Sequence, residues 1–120
     1  MAVRLKRAYD PPAADDGCRV LVDRLWPRGV SKASARIDLW LKDVAPSAGL
    51  RKWFAHDPGK WARFRSRYFR ELDAHPDAVG QVRKLARKGT VTLVFGARDR
   101  EHNDAVALDE YLAAHRRKSR

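Results

Sequence analysis

Apolar side chains recur along the chain with two periods, and the shorter period predicts the strands. Apolar Val3 and Leu5 alternate with basic Arg4 and Lys6, which is typical of a strand at the edge of a sheet. Residues 18–22 and 90–95 are apolar enough to be buried strands. Residues 36–44 fit both periods, and we interpret them as a further strand.

The longer period, three to four residues, predicts the helices. The clearest stripe consists of Trp61, Phe64, Tyr68 and Leu72, and an Asp-Pro pair at 57–58 supplies its N-terminal signal. Shorter helices are predicted at 31–35 and after Pro46. Longer ones are predicted at 77–88 and from about residues 99–101 onward.

The order of these elements predicts an α/β protein. We expect a single three-layer domain with a small, mostly parallel sheet flanked by helices. The long helical passage before the last strand is then a crossover, and such crossovers are right-handed. We place the domain at residues 1–115 and interpret residues 116–120 as a basic, frayed tail.

Charge is the property in which the chain departs most from an average protein. It has 26 lysines and arginines against 15 aspartates and glutamates, a formal net charge of +11, and a pI near 10.5. Such a surface attracts polyanions, so a nucleotide or a nucleic acid is a candidate partner. An organism that favours arginine, or a need for solubility, would also explain the charge.

One basic stripe lies on the helix that carries the aromatic stripe. It consists of Lys60, Arg63, Arg67 and Arg70, which fall on another face of that helix. These cations could follow the backbone of a nucleic acid, or they could be the solvated face of an amphipathic helix.

Other observations limit the class of protein. No run of about 18 apolar residues is present, so we expect no membrane span. The first residues lack the apolar core of a secretory signal, and Cys18 has no partner for an intramolecular disulfide, so we expect a cytoplasmic protein. No cysteine–histidine spacing is typical of zinc, and no glycine motif cradles phosphate. We therefore expect no metal and no cofactor; His102, Asp99 and Asp23 could bind a metal only if the three side chains converge.

Two polar loops follow the predicted strands 18–22 and 90–95, at residues 23–29 and 96–103. Because the carboxyl ends of parallel strands lie at one edge of a sheet, we expect the loops to converge there. The predicted ligand-binding residues of these loops are Arg24, Trp26, Arg28, Arg98 and Asn103. Arginine suits bidentate recognition of phosphate, and the start of the last helix adds partial positive charge. The leading interpretation is a cleft at the carboxyl ends of the strands that binds a phosphate-bearing ligand, either a nucleotide or a nucleic acid.

Two other interpretations of the loops stay open. His102, with Asp99 or Asp23, could act as an acid–base pair on a phosphorylated or nucleotide substrate, although Asp99 is equally typical of a helix N-cap. Alternatively, Asp23 and Asp99 could pair with Arg98 and Arg24 as a salt-bridge latch in a structural or partner-binding protein.

Trp26 and His56 also have two interpretations each. Trp26 is held extended before Pro27, and its indole could stack on a base or plug the end of the domain. His56 could add a second imidazole to the site, but the adjacent Asp57 is explained as a helix N-cap.

Four stretches form a combination of motifs: 22–29, 50–58, 64–72 and 97–103. Together they resemble the YeaO-like branch of the bacterial "domain of unknown function 488" family. The resemblance implies a small, single-domain, cytoplasmic bacterial or archaeal protein of α/β type, with no assigned activity. Longer relatives carry a cysteine-histidine-arginine motif after the corresponding last strand. Residues 98–103 contain no cysteine, and Phe95 stands where close relatives often have tyrosine, so neither thiol chemistry nor a tyrosine hydroxyl is expected there.

Overall fold

The computed structural model describes residues 2–114, and its centre is a four-stranded parallel sheet. The strands are β1 (Val3–Arg7), β2 (Cys18–Leu21), β3 (Leu39–Trp40) and β4 (Val91–Phe95), in the spatial order β1-β4-β2-β3. Val91 is in register with both Val3 and Cys18, so the amino ends of three strands are level. The predicted sheet is confirmed, and every pairing within the described residues is parallel.

Five α-helices lie within the described residues: α1 (Lys32–Ala35), α2 (Ala48–Phe54), α3 (Trp61–Asp73), α4 (Pro76–Lys88) and α5 (Asp104–Ala114). Ser47 is the N-cap of α2, and its Oγ accepts a hydrogen bond from the Leu50 amide at 3.2 Å. The predicted Asp-Pro start is also confirmed. Asp57 accepts from the Gly59 amide at 2.9 Å, and a 3₁₀ turn at Pro58–Lys60 leads into α3.

Helices α2–α5 cover one face of the sheet. Phe64, Tyr68 and Leu72 of the predicted stripe are buried there, and Trp61 is partly buried. They belong to one hydrophobic core with strand residues such as Val20 and Leu93. The aromatic stripe therefore fixes the orientation of α3 over the sheet, as the sequence period predicts.

The opposite face has a thinner layer, made of α1 and the loops around it. Leu21 and Val94 are buried there against Trp26, Ile37 and Trp40. Buried Arg19 also contributes, since its Nε donates to the Ala35 carbonyl at 3.0 Å. The predicted three-layer arrangement is thus confirmed.

Two element boundaries differ from the sequence prediction. The segment 36–44 forms a strand only at Leu39–Trp40. Before it, the Arg19 amide donates its hydrogen bond to the Asp38 carboxylate at 2.8 Å and not to a backbone carbonyl of that segment. The last helix begins at Asp104 rather than at 99–101. The Asp99 carboxylate accepts from the amides of residues 101 and 102, which closes a separate turn before α5.

No helix in residues 2–114 is long and apolar enough to cross a membrane. The predicted tail at 116–120 lies outside the described residues.

Candidate functional site

The two loops predicted to converge lie side by side at the carboxyl ends of β2 and β4. Asp23 follows β2, and its Oδ2 accepts a hydrogen bond at 2.8 Å from the amide of Gly96, which follows β4. The Trp40 indole donates to the Asp23 carbonyl at 2.8 Å and holds the loop from the other side. A Cβ at position 96 would lie 3.2 Å from the Asp23 carboxylate, so the absence of a side chain at Gly96 permits this close approach.

The loops form one side of a cavity of about 220 Å³, which we call the cleft. Helix α2, the segment after it and the start of α5 complete its walls. The lining residues are Tyr9, Asp23, Arg24, Leu25, Trp26, Pro27, Arg28, Pro46, Arg51, Phe54, His56, Phe64, Gly96, Ala97, Asn103 and Asp104.

Three arginines line the cleft: Arg24 and Arg28 from the loop after β2, and Arg51 from α2. Arg24 Nε donates to the Pro46 carbonyl at 3.2 Å, which fixes the side chain while its terminal nitrogens stay available. Within residues 2–114, none of the three forms an ion pair. A concave site with several unneutralised guanidinium groups favours an anionic ligand.

His56 adds an imidazole to the same wall. Ala55 and His56 have φ angles of 49° and 57°, a left-handed conformation that is uncommon for residues other than glycine. The Ala55 amide ends α2 by donating to the Arg51 carbonyl at 3.0 Å. Two successive residues in this conformation turn the chain sharply after α2, and strained backbone of this kind is concentrated at functional sites.

Two carboxyl groups, Asp23 and Asp104, also line the cleft. Burial raises the pKa of the Asp104 carboxyl well above its ordinary value, and the charge of Asp23 and a hydrogen bond to Asp23 raise it further. A hydrogen bond between two carboxyl groups requires a proton on one of them. Asp104 therefore keeps its proton to higher pH than an ordinary aspartate.

The remaining wall is apolar and aromatic and consists mainly of Phe54, Phe64 and Trp26. The Trp26 indole donates to the Val30 carbonyl at 2.6 Å, and its ring meets Trp40 edge-on at 5.5 Å between centroids. Trp26 thus packs within the thinner layer of the domain, and part of its surface lines the cleft.

The predicted site residues of the second loop mostly lie outside the cleft. Arg98 is exposed, and neither it nor Asp99 or His102 lines the cavity. His102 Nδ1 is 2.8 Å from Asp99 Oδ2, and its ring meets Trp61 edge-on at 5.3 Å between centroids. Asp99 therefore engages the loop's own amides and His102. The hydrogen bond from the amide of residue 101 is the main cause that lowers the pKa of the Asp99 carboxyl, and the hydrogen bond to the His102 side chain is the second.

Asn103 is buried and lines the cleft, but its polar atoms are already used. Its Nδ2 donates to the Asp99 carbonyl at 2.9 Å, and its Oδ1 accepts from the Val106 amide at 2.9 Å. Asn103 is the N-cap of α5 and thereby sets the position of the neighbouring Asp104.

Neither the latch nor a metal centre is found among the described residues. No ion pair there joins Asp23 or Asp99 to Arg24 or Arg98, as the latch interpretation requires. The two loops are joined instead by the hydrogen bond from the Gly96 amide. No group of three histidine, cysteine or acidic side chains within residues 2–114 could hold a metal ion.

Sequence reasoning missed Arg51 and Asp104. Asp104 looks in sequence like an acid that complements the dipole of a helix start, and nothing local shows that it is beside Asp23. Arg51 is one of many arginines on predicted helices. The one signal that could have found it is its place within the motif at 50–58.

The fold and the cleft define a class: a small parallel α/β domain with a cationic cleft at the carboxyl ends of its two central strands. A family model described as "Inactive DUF488-N3 subclade" matches residues 2–120, and the chain belongs to this family. It is similar to the uncharacterized protein YeaO of Escherichia coli K12, with 39% identity over 112 residues, which are 93% of this chain and 97% of YeaO.

A second relative is the uncharacterized protein Rv3073c of Mycobacterium tuberculosis H37Rv. It is 43% identical over 110 residues, which are 92% of each chain. No solved structure matches the chain significantly. These relatives confirm the resemblance that the four motifs indicate, and their names assign no activity.

Proposed function

We propose that the protein binds a phosphate-bearing ligand of the nucleotide class in the cleft. The observation that carries this proposal is that Arg24, Arg28 and Arg51 line one cavity and, within residues 2–114, form no ion pair. Guanidinium groups bind phosphate bidentately, and His56 supplies a further donor on the same wall.

The other parts of the cleft suit the uncharged part of such a ligand. Phe54, Phe64 and the exposed part of Trp26 offer apolar and aromatic surface for a base or a sugar. The Asp23–Asp104 pair offers oxygen acceptors for hydroxyl or amino groups. Because the raised pKa of Asp104 favours its protonated form, the pair repels a bound anion less than two ionised carboxylates would.

Binding without catalysis is the form of the proposal that the comparisons favour, because the family model describes its subclade as inactive. The enzyme alternative keeps one supporting observation: the Asp104 carboxyl, whose pKa is raised by burial and by the charge of Asp23, lies among the cations of the cleft. Incubation with nucleotides separates the two. The binding proposal predicts no release of phosphate or base, whereas release that is abolished by Asp104→Asn would establish an enzyme.

The proposal includes a cytoplasmic location, where nucleotides and nucleic acids are abundant. The single cysteine, Cys18, agrees with a reducing compartment. Fractionation of the source cells tests this part. Recovery of the protein outside the soluble cytoplasmic fraction would contradict it.

Isothermal titration calorimetry with adenosine monophosphate tests the proposal, and adenosine serves as the ligand without phosphate. We expect Arg24→Gln and Arg28→Gln each to weaken binding of the monophosphate by about tenfold or more, because a hydrogen bond to a charged group contributes roughly 1.5–3 kcal/mol. Adenosine should bind much more weakly than the monophosphate.

Arg98→Gln is the matched control for this titration. Arg98 is an exposed arginine of the neighbouring loop, so its substitution removes one positive charge without touching the cleft. Equal weakening by Arg98→Gln and Arg24→Gln would show that only net charge matters. No detectable binding to the unmodified protein would refute the proposal.

A further inference from the structure

We propose that the outer face of α2 and α3 binds the backbone of a single nucleic-acid strand, with a terminal phosphate of that strand in the cleft. This inference rests on the proposed function, because it assigns the phosphate group in the cleft to the end of a polynucleotide. We call this surface the basic face, and its cations are Arg51, Lys52, Lys60, Arg63, Arg67 and Arg70.

The cations of the basic face are not neutralised by the acids of the same segment. Within the described residues none of them forms an ion pair. Asp57 accepts from the Gly59 amide, and Glu71 accepts from the Ser47 amide at 2.7 Å and the Ser47 hydroxyl at 2.6 Å. Asp73, the third acid of the segment, accepts a hydrogen bond from the Tyr111 hydroxyl at 2.6 Å. All three acids are therefore engaged with the backbone or a hydroxyl rather than with a cation.

Arg65 shows the contrast on the other side of the same helix. It is directed towards α5, where Arg65 Nη2 lies 2.6 Å from Glu110 Oε2. Helix α3 thus pairs its inner arginine with an acid and leaves its outer arginines unpaired. An unpaired stripe of cations on one face is the electrostatic pattern that phosphate backbones recognise.

Trp53 organises two of the outer cations. Arg67 Cζ lies 4.3 Å and Lys60 Nζ lies 5.1 Å from the centroid of the Trp53 ring. Lys60 Nζ also donates to the Trp53 carbonyl at 2.8 Å. Cations held in this way lose less conformational entropy when they bind a ligand than freely rotating side chains do. An open groove beside Trp53, bordered by Arg67 and Arg70, gives a strand a place to lie.

Helix α2 contributes a residue to each of the two surfaces. Arg51 lines the cleft, and Trp53, two residues later, lines the open groove. A ligand that occupies both must carry regularly repeated anions, which a polynucleotide does and a free nucleotide does not. A single strand fits better than a duplex, because a flexible strand can bend its terminal phosphate into the concave site lined by Arg24 and Arg28 while its backbone lies on the basic face, whereas a duplex is stiff over this length.

Fluorescence anisotropy with a labelled single-stranded oligonucleotide tests the face. The α3 variant replaces three outer arginines (Arg63→Gln, Arg67→Gln, Arg70→Gln). The matched α4 variant replaces three exposed cations elsewhere (Lys84→Gln, Arg87→Gln, Lys88→Gln) and lowers the net charge equally. We expect the α3 variant to lose about tenfold or more in affinity and to reduce the slope of log K against log salt by about 2, whereas the α4 variant changes little.

Equal losses in the α3 and α4 variants would overturn the proposal, because they would show that net charge alone attracts the oligonucleotide. Unchanged binding by the α3 variant would overturn it as well. So would equal affinity for a polyglutamate peptide, or tighter binding of a duplex of the same sequence. Circular dichroism and thermal unfolding establish that both variants are folded.

Oligonucleotides phosphorylated at the 5′ end, at the 3′ end or at neither end test the link to the cleft. At least one phosphorylated form should bind more tightly than the unphosphorylated one, and the difference should vanish in the Arg24→Gln/Arg28→Gln protein. Equal affinity for all three would refute the placement of a terminal phosphate in the cleft.

Adenosine monophosphate separates failure of this inference from failure of the proposed function. Its binding should survive in the α3 variant and be lost in the Arg24→Gln/Arg28→Gln protein. Normal binding of the monophosphate together with oligonucleotide binding that ignores the α3 substitutions would refute the basic face alone. Absence of monophosphate binding would refute the cleft.

Discussion

Replacement of Asp104 by asparagine should make the protein's stability less dependent on pH. Asp104 lies at the start of α5 beside Asp23, and burial, followed by the charge of Asp23, raises the pKa of its carboxyl. Asparagine is nearly isosteric with a protonated aspartic acid, and its Nδ2 can donate to Asp23 as the acid hydroxyl does. The variant therefore keeps the hydrogen bond and removes the titration.

The sign of the effect follows from the direction of the shift. The unfolded chain loses the Asp104 proton near its ordinary pKa of about 4, while the folded protein holds it to higher pH. The stabilisation that the Asp104 proton gives the folded protein is thus fully present below about pH 4. Above that, the free energy of unfolding falls by about 1.4 kcal/mol per pH unit until the folded pKa is passed.

Other carboxyl groups act in the opposite direction but do not obscure the comparison. The hydrogen bond from Arg100 is the main cause that lowers the pKa of Asp10 to about 2, so its stabilisation is present above about pH 4 and is lost as pH falls towards 2. This contribution is the same in the wild type and the Asp104→Asn protein, and it cancels in their difference.

Urea unfolding followed by circular dichroism at several pH values from 5 to 8 measures that difference. The free energy of unfolding of Asp104→Asn relative to wild type should rise by up to about 1.4 kcal/mol per pH unit in the lower part of this range. The exposed Asp43→Asn is the matched control and should run parallel to the wild type. If the free energies of unfolding of Asp104→Asn and the wild type changed with pH in parallel, the raised pKa of the Asp104 carboxyl would be refuted.

Two further substitutions test contacts that hold the sheet and the helices in place. Gly17 has φ of 66°, and a Cβ there would lie 2.2 Å from the Thr90 carbonyl oxygen. Gly17→Ala should therefore lower the free energy of unfolding by roughly 3 kcal/mol. A loss within the error of urea unfolding would contradict this prediction. Tyr68→Phe removes the buried hydroxyl that donates to the Val44 carbonyl and should cost about 1–3 kcal/mol in the same assay, whereas a neutral result would show that this carbonyl finds another partner.

The architecture could be predicted because local patterns agree with it. The runs at 18–22 and 90–95 are mostly apolar, and the stripe from Trp61 to Leu72 has the period of one buried helix face. The segment 36–44 could not be resolved in the same way. A tertiary hydrogen bond from the Arg19 amide to Asp38 shortens that strand, and no local pattern shows it.

The candidate site was predictable only where it lies on the loop after β2. Arg24, Trp26 and Arg28 follow a central strand directly, so the rule of parallel sheets places them at the correct edge. For Arg98 and His102 the sequence prediction assumed that α5 starts at 99–101. Because the turn at Asp99 comes first, α5 begins later and presents Asp104 to the cleft.

The most direct test of the central claim, an anion site in the cleft, is a titration of ¹⁵N-labelled protein with adenosine monophosphate, monitored by two-dimensional NMR. Amide shifts should concentrate at residues 24–26, 28, 55–57 and 96–97, which surround the cleft, with the Arg24 and Arg51 Nε–H signals among those that move most. Shifts centred on α4, or no shifts at high ligand concentration, would contradict the account.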